Sequence, residues 1–427
     1  LLALCFLTSI PREGFFVAKN YKAIYDNTGD STAQNQRFYI KEESVRGALI
    51  APGNADFFYT LGGSAVNFSQ AFGASPVRSG RHNKNVIREK KMLEWSIVTH
   101  IDVDTTQVSA GFASFPPALR LLFKSLLGFE GSTPVPKFNS STDPSVTFSI
   151  HEVGDMWSKQ APGCFVQGCE VSLPGDGVSQ LSWSGNGKES FTVGIGKTIV
   201  SNNGANTVTV GLGEGKRFPV GSQVMLIEND GVTRSADTPV GTPRKVTSVS
   251  GDVVTIDGAV LADADGSTTP QFLCYYEPDA PVAIDNPQVG LVGTFVSTTV
   301  PGANCIRSAT VSIQNNHELV DYCWGKDSLS GALFVAASRL EVNATIEMNL
   351  NHELIEFYNS VQKFEVSDLQ FNLGDTASRY FRIALPKVYF NVPQISVPDS
   401  GSIPVSFEGL SVQTAEDAAD EVEVRYP

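Results

Sequence analysis

The sequence predicts a mainly β chain: a β-sandwich or open barrel with one or two short flanking helices, plus an inserted small β-barrel. Three observations carry that reading. Across residues 340–350 the even positions are Leu340, Val342, Ala344, Ile346, Met348 and Leu350, and the odd ones are Glu341, Asn343, Thr345, Glu347 and Asn349. A side-chain period of two over that length belongs to a strand with one buried and one wet face. Turn formers, among 38 glycines and 23 prolines, break the chain into short segments of alternating character. Clear helical periodicity is confined to two short stretches.

In chain order, residues 1–36 read as an N-terminal arm. It opens on the apolar run LLALCFLTSI, which Pro11, Arg12 and Glu13 end. The run is far shorter than the ~20 residues that cross a bilayer, and it lacks a signal peptide's basic start and small-residue cleavage site. A buried strand is expected there, in a soluble protein, followed by a polar linker. Residues 37–190 form the first half of the main domain, opening with RFYIKEESVRGALIAPGN. The one basic run of the chain follows, with Arg78, Arg81, Lys84, Arg88, Lys90 and Lys91. No aromatic residues interleave with these cations for base stacking, so they read as an exposed loop whose charges meet acidic patches on a neighbouring subunit or simply face water, in preference to a nucleic-acid site. MLEWSIVTHIDVDT then alternates as a strand.

SFPPALRLLFKSLLG, residues 114–128, is a helix by pattern: Ser114 can cap it, prolines occupy the first turn, Gly128 stops it, and Leu119, Leu122, Phe123 and Leu126 make one stripe. SVTFSIHEVG is a strand. In the block after it Cys169, Val171 and Leu173 face one way and Glu170 and Ser172 the other. Residues 191–278 contain the strand candidates TVTVGL, SQVMLIEN, RKVTSV, DVVTIDG and QFLCYYE between Gly, Asn and Asp turns, with no helical signal, and are expected to form the inserted, separately folding barrel. Residues 279–427 complete the main domain. After the alternating strand, Asn351 caps a helix striped by Leu354, Phe357, Tyr358 and Val361. Strands KFEVSDLQFNLGD, RYFRIALPKVYF and IPVSFEGL follow, and an acidic run leads to a last short strand. CFVQGCEVSL and CIRSATVSIQ echo each other weakly and suggest two related sheets.

The order strand, helix, strand, turn, strand over residues 340–390, closed by a proline-punctuated strand (Leu385, Pro386) and IPVSFEGL, resembles the C-terminal half of tail tube proteins of long-tailed bacteriophages. The small-residue-rich PGCFVQGCEVSLPGDGVSQLSWSGNGKE resembles the double strand in that family's first half. The resemblance covers residues 37–190 and 279–427 and contains no catalytic signature. It implies a structural virion protein, made in the host cytoplasm, whose copies form hexameric rings stacked into a tube. Tape measure, tail terminator and baseplate or tip proteins would be its partners, and DNA would pass through the lumen without specific binding. Glu341, Asn343, Thr345, Glu347 and Asn349 would line that lumen; a solvated outer sheet face accounts for the same alternation.

Other chemistry finds little support. With 31 Lys and Arg against 45 Asp and Glu, the formal charge is −14, which disfavours tight binding to phosphate backbones. Cys5, Cys164, Cys169, Cys274, Cys305 and Cys323 are scattered without a CxxC pair, as suits buried thiols in a reducing compartment. FTVGIGKT lacks the first glycine of a phosphate loop. HELVD at His317 and HELIE at His352 put Asp321 and Glu356 where a zinc motif needs a second histidine. No catalytic residue, cofactor or metal is expected, and no membrane contact. The alternatives are another virion protein, such as a tail terminator or capsid component, and a secreted carbohydrate-active β-protein, for which Trp95, Trp157, Trp183 and Trp324 are few.

Overall fold

The computed structural model describes residues 19–21, 36–74, 78–79, 82–83, 86–101, 117–131, 137–140, 146–188, 191–194, 196–202, 206–235, 237–238, 241–258, 272–278, 293–300, 306–320, 334–336, 339–375 and 379–425. The chain is mainly β, with two α-helices among the described residues. The apolar run at residues 1–10, Ser114, Arg81 and Lys84 lie outside them.

The long strand Trp157–Pro174 organises the larger unit because it belongs to two sheets. Its first part pairs with Phe148–Val153 on one side and Phe191–Gly194 on the other, and Phe148–Val153 pairs in turn with Arg37–Glu42. Its second part pairs with Gln180–Gly187 and with Ile306–Gln314. Register shifts fall between Ala161 and Cys164 and between Val166 and Gly168, the bulges by which a strand turns a corner. From there the second sheet runs outward both ways. On one side lie Gln180–Gly187, Val86–His100 and Ala65–Ala74. On the other lie Ile306–Gln314, Glu341–Asn349, Pro404–Ser411, Arg379–Phe390, Ser367–Asp375 and Gly293–Val296. These pairings branch without returning to their start, so the sheet is open among the described residues. The two echoing segments are direct neighbours in this one sheet, Cys169 opposite Ile313 and Val171 opposite Val311. Pro386 sits where the pairing slips between Leu385 and Val388, so its missing N–H costs no ladder bond.

The corner is held by Glu43. Its buried carboxylate accepts from Ser149 Oγ (2.8 Å) and the Gly163 N–H (2.7 Å) on one oxygen, and from Thr147 Oγ1 (2.8 Å) and the Gly47 N–H (2.7 Å) on the other. Gly163 has φ +68, and a Cβ there would lie 2.8 Å from Lys188 Cβ, so only glycine fits the bend.

Both helices cover the apolar face. Helix α1, Pro117–Leu127, buries Leu119, Leu122, Phe123 and Leu126 as the stripe predicts, and Ala118, Leu121 and Leu127 besides, before Gly128 at φ +85 ends it. Phe123 meets Phe138, Trp183 and Phe381 at ring distances of 5.8, 4.9 and 6.1 Å. Because Trp183 and Phe381 lie on strands far apart in the order, the sheet curls round this helix. Helix α2, His352–Gln362, is capped by Asn351 Oδ1 accepting from the Leu354 N–H at 2.8 Å. It buries Leu354, Phe357 and Val361, with Phe357 against Phe390 and Phe407.

Six strands close a small barrel: Gly196–Asn202, Thr207–Val210, Val253–Ile256, Arg244–Ser250, Gln223–Ile227 and Phe272–Tyr275, the last pairing back to the first. The phosphate-loop lookalike is split between Phe191–Gly194 of the larger unit and the first barrel strand. The barrel has its own core around Val208, Val224, Leu226, Val254 and Leu273. It is nonetheless joined to the larger unit by buried polar contacts: Gln160 and Gln223 exchange hydrogen bonds of 2.9 and 2.8 Å, and Tyr276 Oη donates to the Pro52 carbonyl at 2.7 Å. The N-terminal segment takes part. Tyr21 is buried, Lys19 Nζ and Tyr21 Oη both reach Glu277, and Arg37 pairs with the same carboxylate. Part of the expected arm is therefore tied down, since a buried Glu277 needs those donors.

His151 lies fully buried at this junction, its Nε2 3.1 Å from the Ile50 carbonyl and its ring edge-on to Tyr276. Burial pushes its imidazole down to about 4 from the ordinary 6.5.

Two outcomes follow for stability. Glu43→Ala leaves four donors without their acceptor and is expected to cost roughly 3 kcal/mol, read as a lowered urea midpoint, with Glu43→Gln recovering part of the loss. For His151 the folded value lies below the unfolded one, so the unfolded chain takes up a proton first as the pH falls. Stability is unaffected above about pH 6.5 and declines from there to pH 4 by about 1.4 kcal/mol per pH unit. Denaturation of wild type and His151→Gln across that window checks this: the variant's slope should be shallower.

Candidate functional site

The strand Glu341–Asn349 has the alternation its sequence requires: Val342, Ala344, Ile346 and Met348 are buried, while Glu341 is exposed and Asn343, Thr345, Glu347 and Asn349 are half-buried. The registers then place these five side-chain positions in a much larger face. Thr345 lies opposite Glu408 on one side and Thr310 on the other, and the row continues through Ser172 and Gln180 to His100. Asn343 lies opposite Leu410 and Ser312, and that row continues through Glu170 and Ser182 to Val98. Glu341 faces Gln314, and Glu347 faces Ser308 and Ser406. Six adjacent strands thus share a face of Ser, Thr, Asn, Gln and Glu side chains, broken by Val98 and Leu410.

Its acidic members are Glu94, Glu170, Glu341, Glu347 and Glu408. The pattern of Glu170 and Ser172 was legible as an outward pair; their place beside Glu341 was not, because side-chain period gives a strand's faces but not its neighbours. Among the described residues Glu347 forms an ion pair, at 3.0 Å from Arg307 Nη1, with both side chains over a third exposed. Ser308 Oγ donates to its other oxygen at 3.3 Å, and Asn343 Nδ2 donates to Glu341 at 2.9 Å. Arg307 escaped sequence reasoning because it sits at a register shift between Ile306 and Ser308, which turns a position that would point inward toward the wet side. At the end of this face a cleft of about 700 Å³ is lined by Arg339, Glu341, Lys387, Thr414, Glu416 and Glu421 among others.

The basic run is not a plain loop. Arg78 lies in a two-residue strand, opposite Asn83, and Arg88, Lys90 and Lys91 belong to Val86–His100, which extends as a long hairpin with Ala65–Ala74. The correction has a simple cause: Leu93, Trp95 and Ile97 anchor that strand in the core, and its ladder carries on past them. The hairpin is the farthest strand pair on its side of the sheet.

Among the described residues no group of His, Cys, Asp and Glu could hold a metal ion, and no helix is long and apolar enough to cross a membrane. His317 is buried against Phe165 next to the short strand Glu318–Val320, and His352 and Glu356 lie on the exposed side of α2. The described cysteines Cys164, Cys169 and Cys274 are free and buried, and burial raises each thiol. No protein-family model matches the chain, and no curated protein matches it either.

The half-exposed Arg307–Glu347 pair is expected to matter little for folding. Arg307→Gln should change unfolding free energy by less than about 1 kcal/mol in denaturant titrations, while making the face more negative.

Proposed function

We propose that this chain is the subunit of a hollow tube of the phage-tail type, its polar sheet face turned to the lumen and its apolar face packed on the two helices. The observation that carries the reading is the largely acidic and neutral polar face shared by six strands, interrupted at Val98 and Leu410, on which Arg307 is matched to Glu347. Six strands at about 4.8 Å spacing take roughly 29 Å of a closed ring, the gap to the next copy included, so six copies would give a perimeter of about 170 Å and a bore of roughly 55 Å before side chains. A DNA duplex fits that bore. Lys and Arg contacts with phosphate release counterions and would hold DNA in place; a lumen of Glu, Ser, Thr and Asn lets it move. Glu341, Asn343, Thr345, Glu347 and Asn349 line the lumen in this reading, joined by Glu170 and Glu408. The basic run Arg78, Arg81, Lys84, Arg88, Lys90 and Lys91 would meet a neighbouring subunit. Tape measure, terminator and tip proteins would contact the tube's inside and ends, in the virion.

Against the carbohydrate reading, Trp95 and Trp183 are buried in the core, and Lys159 Nζ lies 4.9 Å over the ring of Trp157. None of these three offers an open platform for a sugar ring.

Negative-stain microscopy of the purified protein decides between the classes. Rings or rods of uniform bore are expected, and dispersed monomers at every concentration would sink the tube. Within the tube, Glu170→Lys with Glu341→Lys and Glu408→Lys leaves the buried face untouched. The triple variant should assemble normally yet retain duplex DNA, most strongly at low salt where the attraction is least screened, whereas wild-type tubes retain none.

A further inference from the structure

The loop between Phe390 and Pro404 is held out from the protein. Its ends are fixed, with the Asn391 N–H donating to the Glu408 carbonyl at 2.7 Å and the Leu350 N–H donating to that of Ile403 at 2.8 Å. Between them residues 392–402 make no hydrogen bond to the described residues, and Val392, Ile395 and Val397 are 46%, 42% and 74% exposed. Pro393 and Pro398 bracket the stretch Gln394, Ile395, Ser396, Val397, and each favours extended backbone at the residue before it, Val392 and Val397. A segment with apolar side chains at alternate positions and unused backbone groups can serve as a strand for another sheet.

The complementary feature lies at the opposite end of the sheet order. Ala65–Ala74 pairs with Val86–His100 alone among the described residues. Its outward side can be assigned from Val66, whose N–H donates to Glu152 Oε2 and whose carbonyl accepts from Lys159 Nζ, both at 2.8 Å. These side chains close the edge at Val66. The ladder shifts register between Gln70 and Phe72, with the extra residue on Val86–His100, so alternation along Ala65–Ala74 itself carries through and the backbone groups of Gln70 and Phe72 point outward too, beyond that closure. Phe72 is 61% exposed, on the side of the strand that carries buried Val66.

We propose that residues 394–397 of one copy of this chain add as an antiparallel strand to the outer edge of Ala65–Ala74 in the next copy, Ile395 opposite Phe72 and Val397 opposite Gln70. Directly opposed residues in such a ladder share a face, so Ile395 and Val397 arrive on the same side as Phe72, and three exposed apolar side chains cover one another. Pro393 and Pro398 fall outside the bonded pairs, where their lack of an N–H is harmless. The contact joins two different surfaces, so it is head-to-tail and propagates into a closed ring or an open filament. It deepens the tube reading by naming the seam between neighbours, though the contact would stand for any head-to-tail assembly.

The test uses two variants of the full chain. Gln70→Pro with Phe72→Asp disables the edge, and Ile395→Asp with Val397→Asp disables the segment; Phe72, Ile395 and Val397 are exposed, and unchanged circular dichroism confirms folding. Each variant alone should need at least about 100-fold more protein to self-associate than wild type. Mixed, each supplies the half the other lacks, so sedimentation should show 1:1 heterodimers and nothing larger. Self-association of either variant at the wild-type concentration, a mixture that stays monomeric, or a wild type that never associates overturns the seam. Hollow rings from the segment variant would overturn the seam while leaving the tube standing. Heterodimers from a protein whose wild type forms only solid filaments would do the reverse.

Discussion

The carboxylate of Glu43, buried beneath the corner of Trp157–Pro174, accepts four hydrogen bonds from Gly47, Thr147, Ser149 and Gly163. A carboxylate removed from water is costly unless its lone pairs are matched, so all four donors are constrained together. Those donors come from three places: the turn after the first strand, the entry to Phe148–Val153, and the bend itself. Fixing them fixes the angle between the two sheets. The apolar side chains of the first sheet, Phe38, Ile40, Phe148 and Ile150, can then close on the second sheet and α1 in one core. A different angle would separate Phe148 from Trp95, whose rings meet edge to face at 5.6 Å across the two sheets, and open the core.

Local structure was the legible part of this sequence. Eleven alternating residues at 340–350, the Asn351 cap and the stripe on α2 are set by near neighbours, and each corresponds to an element of the structure. The same holds for the five strand candidates of the small barrel. Contacts between distant segments were not legible. Nothing local to Glu347 announces Arg307, and nothing in GCEVSL says that Glu170 will lie opposite Ser312. The barrel illustrates the same limit. Five of its six strands could be read off, but not Gly196–Asn202, nor the exchange between Gln160 and Gln223, nor Tyr21 crossing to Glu277. A short polar side chain reads as surface until the partner that buries it is known.

Charge in this molecule is sorted by position. The formal excess of 14 negative charges is distributed over surfaces that differ in what they meet. Inside, Glu43, Glu152 and Glu277 are buried and bonded to several donors each, so they act as local fasteners. On the sheet face, Glu94, Glu170, Glu341 and Glu408 stand in water, where a like-charged surface keeps polyanions at a distance until salt screens it. Arg88, Lys90 and Lys91 belong to the hairpin strand Val86–His100 instead. The chain thus keeps its buried carboxylates bonded and its sheet-face carboxylates in water.

That separation bears on what drives assembly. A polar sheet face is hydrated at no penalty, so nothing about the rows through Thr345 and Asn343 demands a partner, and covering them would strip water from Glu170 and Glu408 without replacing its hydrogen bonds. The need lies at the margins of the sheet. Phe72 on the edge strand and Val397 on the outlying segment expose apolar surface, and backbone groups on an open edge seek a ladder. Association at such margins buries what is costly to expose and leaves the polar face as it was. An assembly driven from its edges therefore ends with that face still wet and still acidic, which is the condition a channel for DNA would require, and which an assembly driven by the face itself would destroy.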